Sequence, residues 1–562
     1  MPPRPLKKTR TARLPAPTML GWVLAVILTN GCGEEPREHQ ARQHATPSRG
    51  YILISLDSLA ARRLGAYGYH RDTSPFFDRL ADRGQLFETT IAQSPSTLVS
   101  HLSLMTGLYP QQHGVDGPRE TLSAGIETLA ERFSRYGFAT AGHTEGGLVG
   151  RNYGFHRGFD EFTDSFGRSD TEIEATLASG LAFLRGLEPE DRFFLFLHSY
   201  SVHHPYEPPD PYRSLFLPTG GRTDASGDLS WRAFNAGFLD VEDSDIELAS
   251  ALYDGSVRYV DDQLEGFFTD LQDLGLLENT TIVITSDHGE EFLEHRRLGH
   301  SQVYPEDVQV PLLVLEPGAT SGRRIPELTE LIDVAPTLYD LAGIPTPADL
   351  SGESLLHLLR GGSTDSSWAY SESLGRTSQR SLFSTESGVT HQVVITSLAA
   401  EPDGIWVTKA AGFETTSPTL AFSIASFNQP RLVRLALEDE EFERIEAGAR
   451  WSRISLDLPG ERSRYRLDLS TEGCNSPRLL GLSDDPRCLS FKLRGLAPRL
   501  RELFRLDQDP RASQDLGSLE PDTLERLSGE LSRLRWSVVA PPQPRPLSEE
   551  IREPLRLLGA VD

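Results

Sequence analysis

Three runs constrain this chain most: YILISLD at residues 51–57, RFFLFLHSY at 192–200 and TIVITSDHG at 281–289. Each is almost continuously apolar and reaches an Asp or His at or near its end. A strand with one wet face alternates apolar and polar residues, so unbroken apolar runs predict strands covered on both faces. Between them the spacing is helical. SPFFDRLADRGQLF at 74–87 and ETLAERFSRYGFATAG at 127–142 each read as a helix closed by glycine and followed by a strand. Val260, Leu264, Phe267, Phe268, Leu271 and Leu274 share one helix face that ends at Gly275. This alternation predicts an α/β fold, a mostly parallel sheet sandwiched by helices. Sites in such sheets form beyond the carboxyl ends of strands. Asp57, His198 with His203, and Asp287 with His288 all fall there.

The rest of the chain divides by composition. Residues 1–32 carry Lys7, Lys8, Arg10 and Arg13 before the apolar run Met19 to Leu28 and end in TNGC, a secretory signal whose close resembles a bacterial lipobox. The expectation is an exported protein, periplasmic or on the outer surface, held to a membrane only through a lipid on Cys32. Residues 33–49 read as a polar linker and 50–360 as the α/β unit. Residues 361–412 and 496–540 read as a C-terminal subdomain, with 497–536 helical. Residues 413–495 read as a β-rich insertion, and 541–562 as a tail. In an oxidising compartment Cys474 and Cys488 could pair.

With 562 residues, 38% of them hydrophobic, the chain can fill a large core and more than one domain. A formal charge of -26 excludes broad nucleic-acid binding, which needs clustered Lys and Arg. A small anionic substrate stays open, because a bound cation and a few local groups can outweigh the net field. Oligomeric state is not readable from the sequence.

Asp57, Asp287 and His288, with an alcohol from Ser58 or Thr97, form an oxygen-rich donor set with one imidazole. Such a set suits one divalent ion, Mn²⁺, Zn²⁺ or Ca²⁺. Taken singly, Asp57 could cap a helix. Glu290 and Glu291 read as first-turn residues of a helix after SDHG, with one of them free to partner His288.

The ordered motifs ISLDSLAARRLGAYGY, SPSTLVSHLSLMTGLYPQQHGV, HSYSVHHPYEPP, YDGSVRYVDDQL, ITSDHGEEFLEH, LGHSQVYPEDVQVPLLV and LIDVAPTLYDLAGIP resemble the sulfatase family of the alkaline phosphatase superfamily. The resemblance covers residues 50 to 360, with a weaker echo at ELFRLDQDP. It implies that Asp57, Asp287 and His288 are metal ligands and that Ser58 stands where many members have a second Asp. It implies that His203 and His300 contact the substrate anion or its leaving group; His204 could replace His203.

One departure stands out. The family carries C-x-P-x-R or S-x-P-x-R at the start of this helix, and that Cys or Ser is oxidised to formylglycine. In TLVSH, Thr97 replaces the Cys, Val99 the Pro and His101 the Arg, so no formylglycine is expected. Thr97 has one hydroxyl, so its ester intermediate must be cleaved by water or passed to another alcohol. The set Asp57, Thr97, Asp287, His288 resembles the single-metal sites of threonine-dependent phosphodiesterases and phosphotransferases of the superfamily. Ser96 is expected to cap the helix, Thr97 to face the metal and His101 to orient an anionic oxygen. The expectation is a metal-dependent hydrolase or transferase acting on phosphate mono- or diesters. The alternatives are a sulfatase working without formylglycine and a binding protein that keeps the fold. Specificity is expected in residues 211–245 and in the β-rich insertion.

Overall fold

A computed structural model of the chain describes residues 48–164, 173–218, 231–235, 241–363 and, in the segments named below, 366–544. The segment expected to be a signal peptide, with Cys32, the expected linker through residue 47, Cys474, Cys488 and nearly all of the expected tail lie outside the described residues.

The central sheet has eight strands: Gly50–Leu56 (β1), Gln85–Ile91 (β2), Ala139–Thr144 (β3), Glu161–Asp164 (β4), Phe193–Ser199 (β5), Thr280–Thr285 (β6), Gln309–Leu315 (β7) and Arg323–Glu330 (β8). Their order across the sheet is β8-β2-β7-β6-β1-β5-β3-β4. Only β7 runs antiparallel to its neighbours β2 and β6. The sheet is therefore mostly parallel, as the unbroken apolar runs require.

Successive residues of β1 serve opposite faces. Tyr51 and Leu53 join the core beneath helices Thr97–Thr106 (α2), Leu129–Arg135 (α3) and Val334–Ala342 (α6). Ile52 and Ile54 join the core of the other face. That face is covered by Pro75–Ala81 (α1), Ile173–Arg185 (α4) and the long Asp243–Asp273 (α5), which buries Val260, Leu264, Phe267, Phe268 and Leu271. Both faces are packed with buried apolar side chains, which makes the sheet a rigid platform.

β1 lies between β5 and β6, with Ser55 opposite His198 on one side and Thr285 on the other. Parallel neighbours sit about 4.8 Å apart. The residues just beyond these strand ends, distant in sequence, are thus forced together.

Beyond the sheet, Ser366–Ser373 (β9), Thr377–Glu386 (β10), Val389–Leu398 (β11) and Arg499–Arg505 (β12) form a four-stranded antiparallel sheet. Helix Pro521–Arg533 (α7) packs on it through Leu524, Leu527 and Leu531. The expectation of continuous helix over 497–536 is overturned at β12. RLRELFR carries a pattern that either structure could use, and the edge of β11 offers a hydrogen-bonding partner that an isolated helix lacks. Leu503 and Phe504 are buried there.

Strands from Ile405–Val407 to Phe491–Arg494 form two further four-stranded antiparallel sheets, inserted between β11 and β12. Their first strands, Ile405–Val407 and Ala410–Thr415, begin ahead of the boundary expected at 413. Among the described residues, no helix is long and apolar enough to cross a membrane.

Candidate active site

Asp57 follows β1, and Asp287 and His288 follow β6. All three are buried, and one donor atom from each lies within 4.8 Å of the others. Ser58 takes a left-handed backbone conformation, with φ of +62°, rare for a residue with a side chain. That conformation lets its N–H donate to Asp287 Oδ1 at 3.2 Å while its hydroxyl donates to Asp57 Oδ1 at 3.1 Å. Ser58, expected among the metal donors, braces both carboxylates through these two bonds.

α2 starts at Thr97. Ser96 occupies the cap position with extended backbone, but its side chain makes no capping hydrogen bond, so the expected cap is absent. Thr97 Oγ1 lies 3.1 Å from His288 Nε2. The Nδ1–H of His288 donates to the Gly289 carbonyl at 3.0 Å, which turns the Nε2 lone pair toward Thr97 and the carboxylates. Gly289 makes this turn possible: a Cβ there would meet the Glu306 carbonyl oxygen at 2.0 Å. Ser100 Oγ donates to the Asp287 carbonyl at 2.7 Å, a second tie between α2 and this turn.

Burial and the neighbouring Asp287 carboxylate push the Asp57 carboxyl well above its usual range. Asp287 is just as buried, yet the His288 and His101 imidazoles hold it low. Burial also lowers His288, favouring the neutral form that can ligate. Asp287 Oδ2 accepts no hydrogen bond. Two buried carboxylates beside a bare imidazole nitrogen fit a divalent cation, which would relieve their mutual repulsion.

His203 and His300 complete the rim. The Nδ1–H of His300 donates to the Pro95 carbonyl at 2.8 Å, and that of His203 to the His204 carbonyl. Their Nε2 atoms face each other at 3.3 Å. Burial lowers the His203 imidazole to about 3 and moves His300 in the same direction. The His300 ring stacks on that of His288 with centroids 4.0 Å apart, so the pair sits directly over the carboxylate cluster.

Trp231, from the stretch expected to set specificity, packs against His204, His300 and His203 at centroid distances of 4.2, 5.4 and 5.9 Å. Asn235, one helical turn on, pins this segment by bonding both the carbonyl and the N–H of Leu298.

Two expectations are corrected. His101 does not present a nitrogen for an anion: Nδ1 meets the Thr97 carbonyl at 2.9 Å and Nε2 meets Ser55 Oγ at 2.9 Å. Glu290 and Glu291 do not open a helix. Glu291–Phe292 is a short strand paired with Leu298–Gly299, and the Glu291 carboxylate accepts the main-chain N–H groups of His295 and Arg297. The sequence placed His198 at a strand end but gave it no role among the donors, although its Nε2 lies 3.2 Å from Asp57 Oδ2 and it groups with Asp57 and His101 as a second set that could hold an ion. The signal was present: a lone histidine closing an apolar strand needs a buried partner.

A mostly parallel α/β sheet with a buried carboxylate and imidazole cluster beyond its strand ends is the architecture of a metal-dependent hydrolase. The profile of the Sulfatase family matches residues 49–344, more than half of the chain, and the chain belongs to the sulfatase family. It is a sulfatase-like ester hydrolase. An arylsulfatase of Clostridium perfringens is 25% identical over 373 residues, covering 55% of this chain and 78% of that protein. Human arylsulfatase K is 24% identical over 391 residues, covering 60% and 72%. The fold matches the solved phosphonate monoester hydrolase of Agrobacterium radiobacter with a TM-score of 0.51, at 20% identity over 61% of this chain and 88% of the other. It matches a 2-O GAG sulfatase with a TM-score of 0.53, at 18% identity over 90% and 99%. Enzymes of the family depend on a divalent metal, and Asp57, Asp287 and His288 are its candidate holders here.

Proposed function

We propose that this chain is an exported, metal-dependent ester hydrolase or transferase that uses Thr97 as its nucleophile on phosphate mono- or diesters. The observation that carries this reading is Thr97 Oγ1 at the start of α2, 3.1 Å from His288 Nε2 and above the buried Asp57 and Asp287 pair. A divalent ion, Mn²⁺, Zn²⁺ or Ca²⁺, held by Asp57, Asp287 and His288 supplies charge that favours the Thr97 alkoxide and the anionic ester. The N–H groups at the start of α2, which the Ser96 side chain does not cap, favour the same charges. Thr97 gives up its hydroxyl proton to solvent as the alkoxide forms, Oγ bonds to phosphorus, and the bond from phosphorus to the ester oxygen breaks as that oxygen takes a proton from Nε2 of His203 or His300. Because both Nδ1 atoms are committed to carbonyls, a proton on this pair is held between the two Nε2 atoms, where an anionic substrate stabilises it. Water, or a second alcohol, then cleaves the Thr97 ester. Formylglycine has no part in this route, since position 97 is a threonine.

A phosphonate monoester hydrolase among the fold relatives supports phosphorus esters. The arylsulfatases among the sequence relatives support a second reading, in which Thr97 carries sulfate transiently. The signal-like residues 1–32 and Cys32 support export on a lipid anchor. The domain division follows the same reading: a catalytic unit over 50–360, a C-terminal subdomain, and an inserted β unit.

The test is turnover by purified residues 33–562 supplied with Mn²⁺, Zn²⁺ or Ca²⁺ in turn, on an aryl sulfate, a phosphate monoester and a phosphodiester. Faster turnover of a phosphorus ester, lost in Thr97→Ala, is expected. Fastest turnover of the aryl sulfate moves the assignment to the second reading. No turnover and no bound metal by elemental analysis leaves a binding protein.

A further inference from the structure

His101 occupies the position where the family pattern places an arginine, yet it is completely buried and both its ring nitrogens already face protein groups. Its surroundings define what it does instead. A main-chain carbonyl can only accept, so the ring nitrogen 2.9 Å from the Thr97 carbonyl, Nδ1, must carry a proton. The same nitrogen lies 3.3 Å from Asp287 Oδ2, a buried carboxylate oxygen that accepts no hydrogen bond, so the imidazole is its nearby polar neighbour on this side. On the far side of the ring, Nε2 meets Ser55 Oγ at 2.9 Å. Ser55 is the penultimate residue of β1, two positions before Asp57. One imidazole thus touches β1, the first turn of α2 and the turn after β6, the three elements that carry Asp57, Thr97 and Asp287. The edge of the His101 ring meets His198, 4.8 Å away, whose Nε2 braces Asp57.

We propose that His101 is a positioning residue: its Nδ1–H ties the main-chain carbonyl of Thr97 to the carboxylate of Asp287, while Ser55 sets the ring from β1. The proposal rests on the reading of Thr97 as nucleophile and Asp287 as an ion holder. An arginine with five donors would bring a fixed charge to this place. The imidazole brings a rigid two-ended spacer, and the cost of a misplaced nucleophile or ligand is steep because near-attack geometry tolerates little displacement.

The two amide substitutions separate the two ends of the ring. In His101→Asn the amide nitrogen falls near the Nδ1 position and keeps the tie; in His101→Gln it falls near Nε2, keeping Ser55 and losing the tie. Mn²⁺ affinity by titration calorimetry and the melting temperature of the ion-free protein are measured for wild type and both variants. Expected is a roughly 10- to 100-fold weaker Mn²⁺ affinity in H101Q, with H101N within about 3-fold of wild type, as for partners of metal ligands elsewhere. On a phosphodiester, kcat of H101Q should fall with KM little changed. Equal Mn²⁺ affinity in H101N and H101Q, whether both intact or both weakened, overturns the proposal. Should wild type bind no Mn²⁺, the metal reading fails separately, and the ion-free melting temperatures still decide: H101Q below H101N supports the tie, and equality overturns it. Should H101Q not fold, ¹⁵N NMR of selectively labelled wild type decides, because the Nε2–H tautomer at His101 is incompatible with the tie. Full activity in Thr97→Ala would end the nucleophile reading alone, since the carbonyl at position 97 remains for His101 to bind.

Discussion

Nε2 of His203 and Nε2 of His300 face each other at 3.3 Å, and each ring is locked by an Nδ1–H bond to a main-chain carbonyl. Neither ring can turn away without breaking that bond, so both Nε2 atoms stay aimed at one point over the site, and the proposed route needs a proton there that burial disfavours until an anionic substrate arrives. A general acid matters in proportion to how much its leaving group needs the proton. His203→Gln should therefore slow alkyl phosphate esters by about 10²- to 10⁴-fold and 4-nitrophenyl esters far less. A plot of log kcat/KM against leaving-group pKa should steepen in the variant. Parallel loss across the series would assign His203 to binding alone.

Thr97→Ala should remove turnover by about 10³-fold or more, the scale on which loss of a nucleophile is felt. Thr97→Ser keeps the hydroxyl and should keep measurable activity. Trapping an acid-stable phosphorylated peptide spanning residue 97 by mass spectrometry would show the intermediate; a labelled peptide from another segment would place the nucleophile elsewhere.

Removing the ion should expose the cost of the paired carboxylates. A chelator-treated protein is expected to melt at a lower temperature, and a divalent ion at about 100 times its Kd should restore about 2.7 kcal/mol of stability. Asp57→Asn removes one of the two repelling charges and should blunt that response. A wild-type melting curve indifferent to the ion would contradict the assignment.

His113 is buried beneath α2, its Nε2 against Ser103 Oγ and its Nδ1 accepting the Val115 N–H. Burial lowers its imidazole to about 3. Below the ordinary histidine value near 6.5 the unfolded chain takes up a proton that the folded chain refuses, so stability falls as pH drops from about 6.5 toward 3. The contribution approaches about 1.4 kcal/mol per pH unit for this one group. His113→Asn should flatten the decline in urea-unfolding free energy between pH 6 and 4 by that amount. An unchanged slope would mean that His113 is already protonated in the fold.

How much of this was legible follows from the range of the forces. The β1, β5 and β6 strands announce themselves because burial on both faces demands unbroken apolar runs, a local property. Asp57, Asp287 and His288 stand out for a related reason: polar groups that end such runs can be placed only at a sheet edge where they meet one another. The helix expected over 497–536 failed because RLRELFR pairs with a strand more than a hundred residues earlier in the chain, at Val389–Leu398. Periodicity does not encode such a partner. Glu290 and Glu291 failed likewise, since the N–H groups that claim the Glu291 carboxylate belong to a later turn.

The sequence by itself determined the sheet, the chemical kind of the donors and the threonine that stands where formylglycine chemistry would need cysteine or serine. Only the tertiary structure decided what the buried histidines do. A side chain's identity states which bonds it can make; which of them it makes depends on the carbonyls, carboxylates and hydroxyls that three separate elements bring within 3.5 Å of its ring. For His101 those neighbours are Thr97, Asp287 and Ser55. They turn a residue that sequence reasoning aimed at the substrate into one that holds the site together.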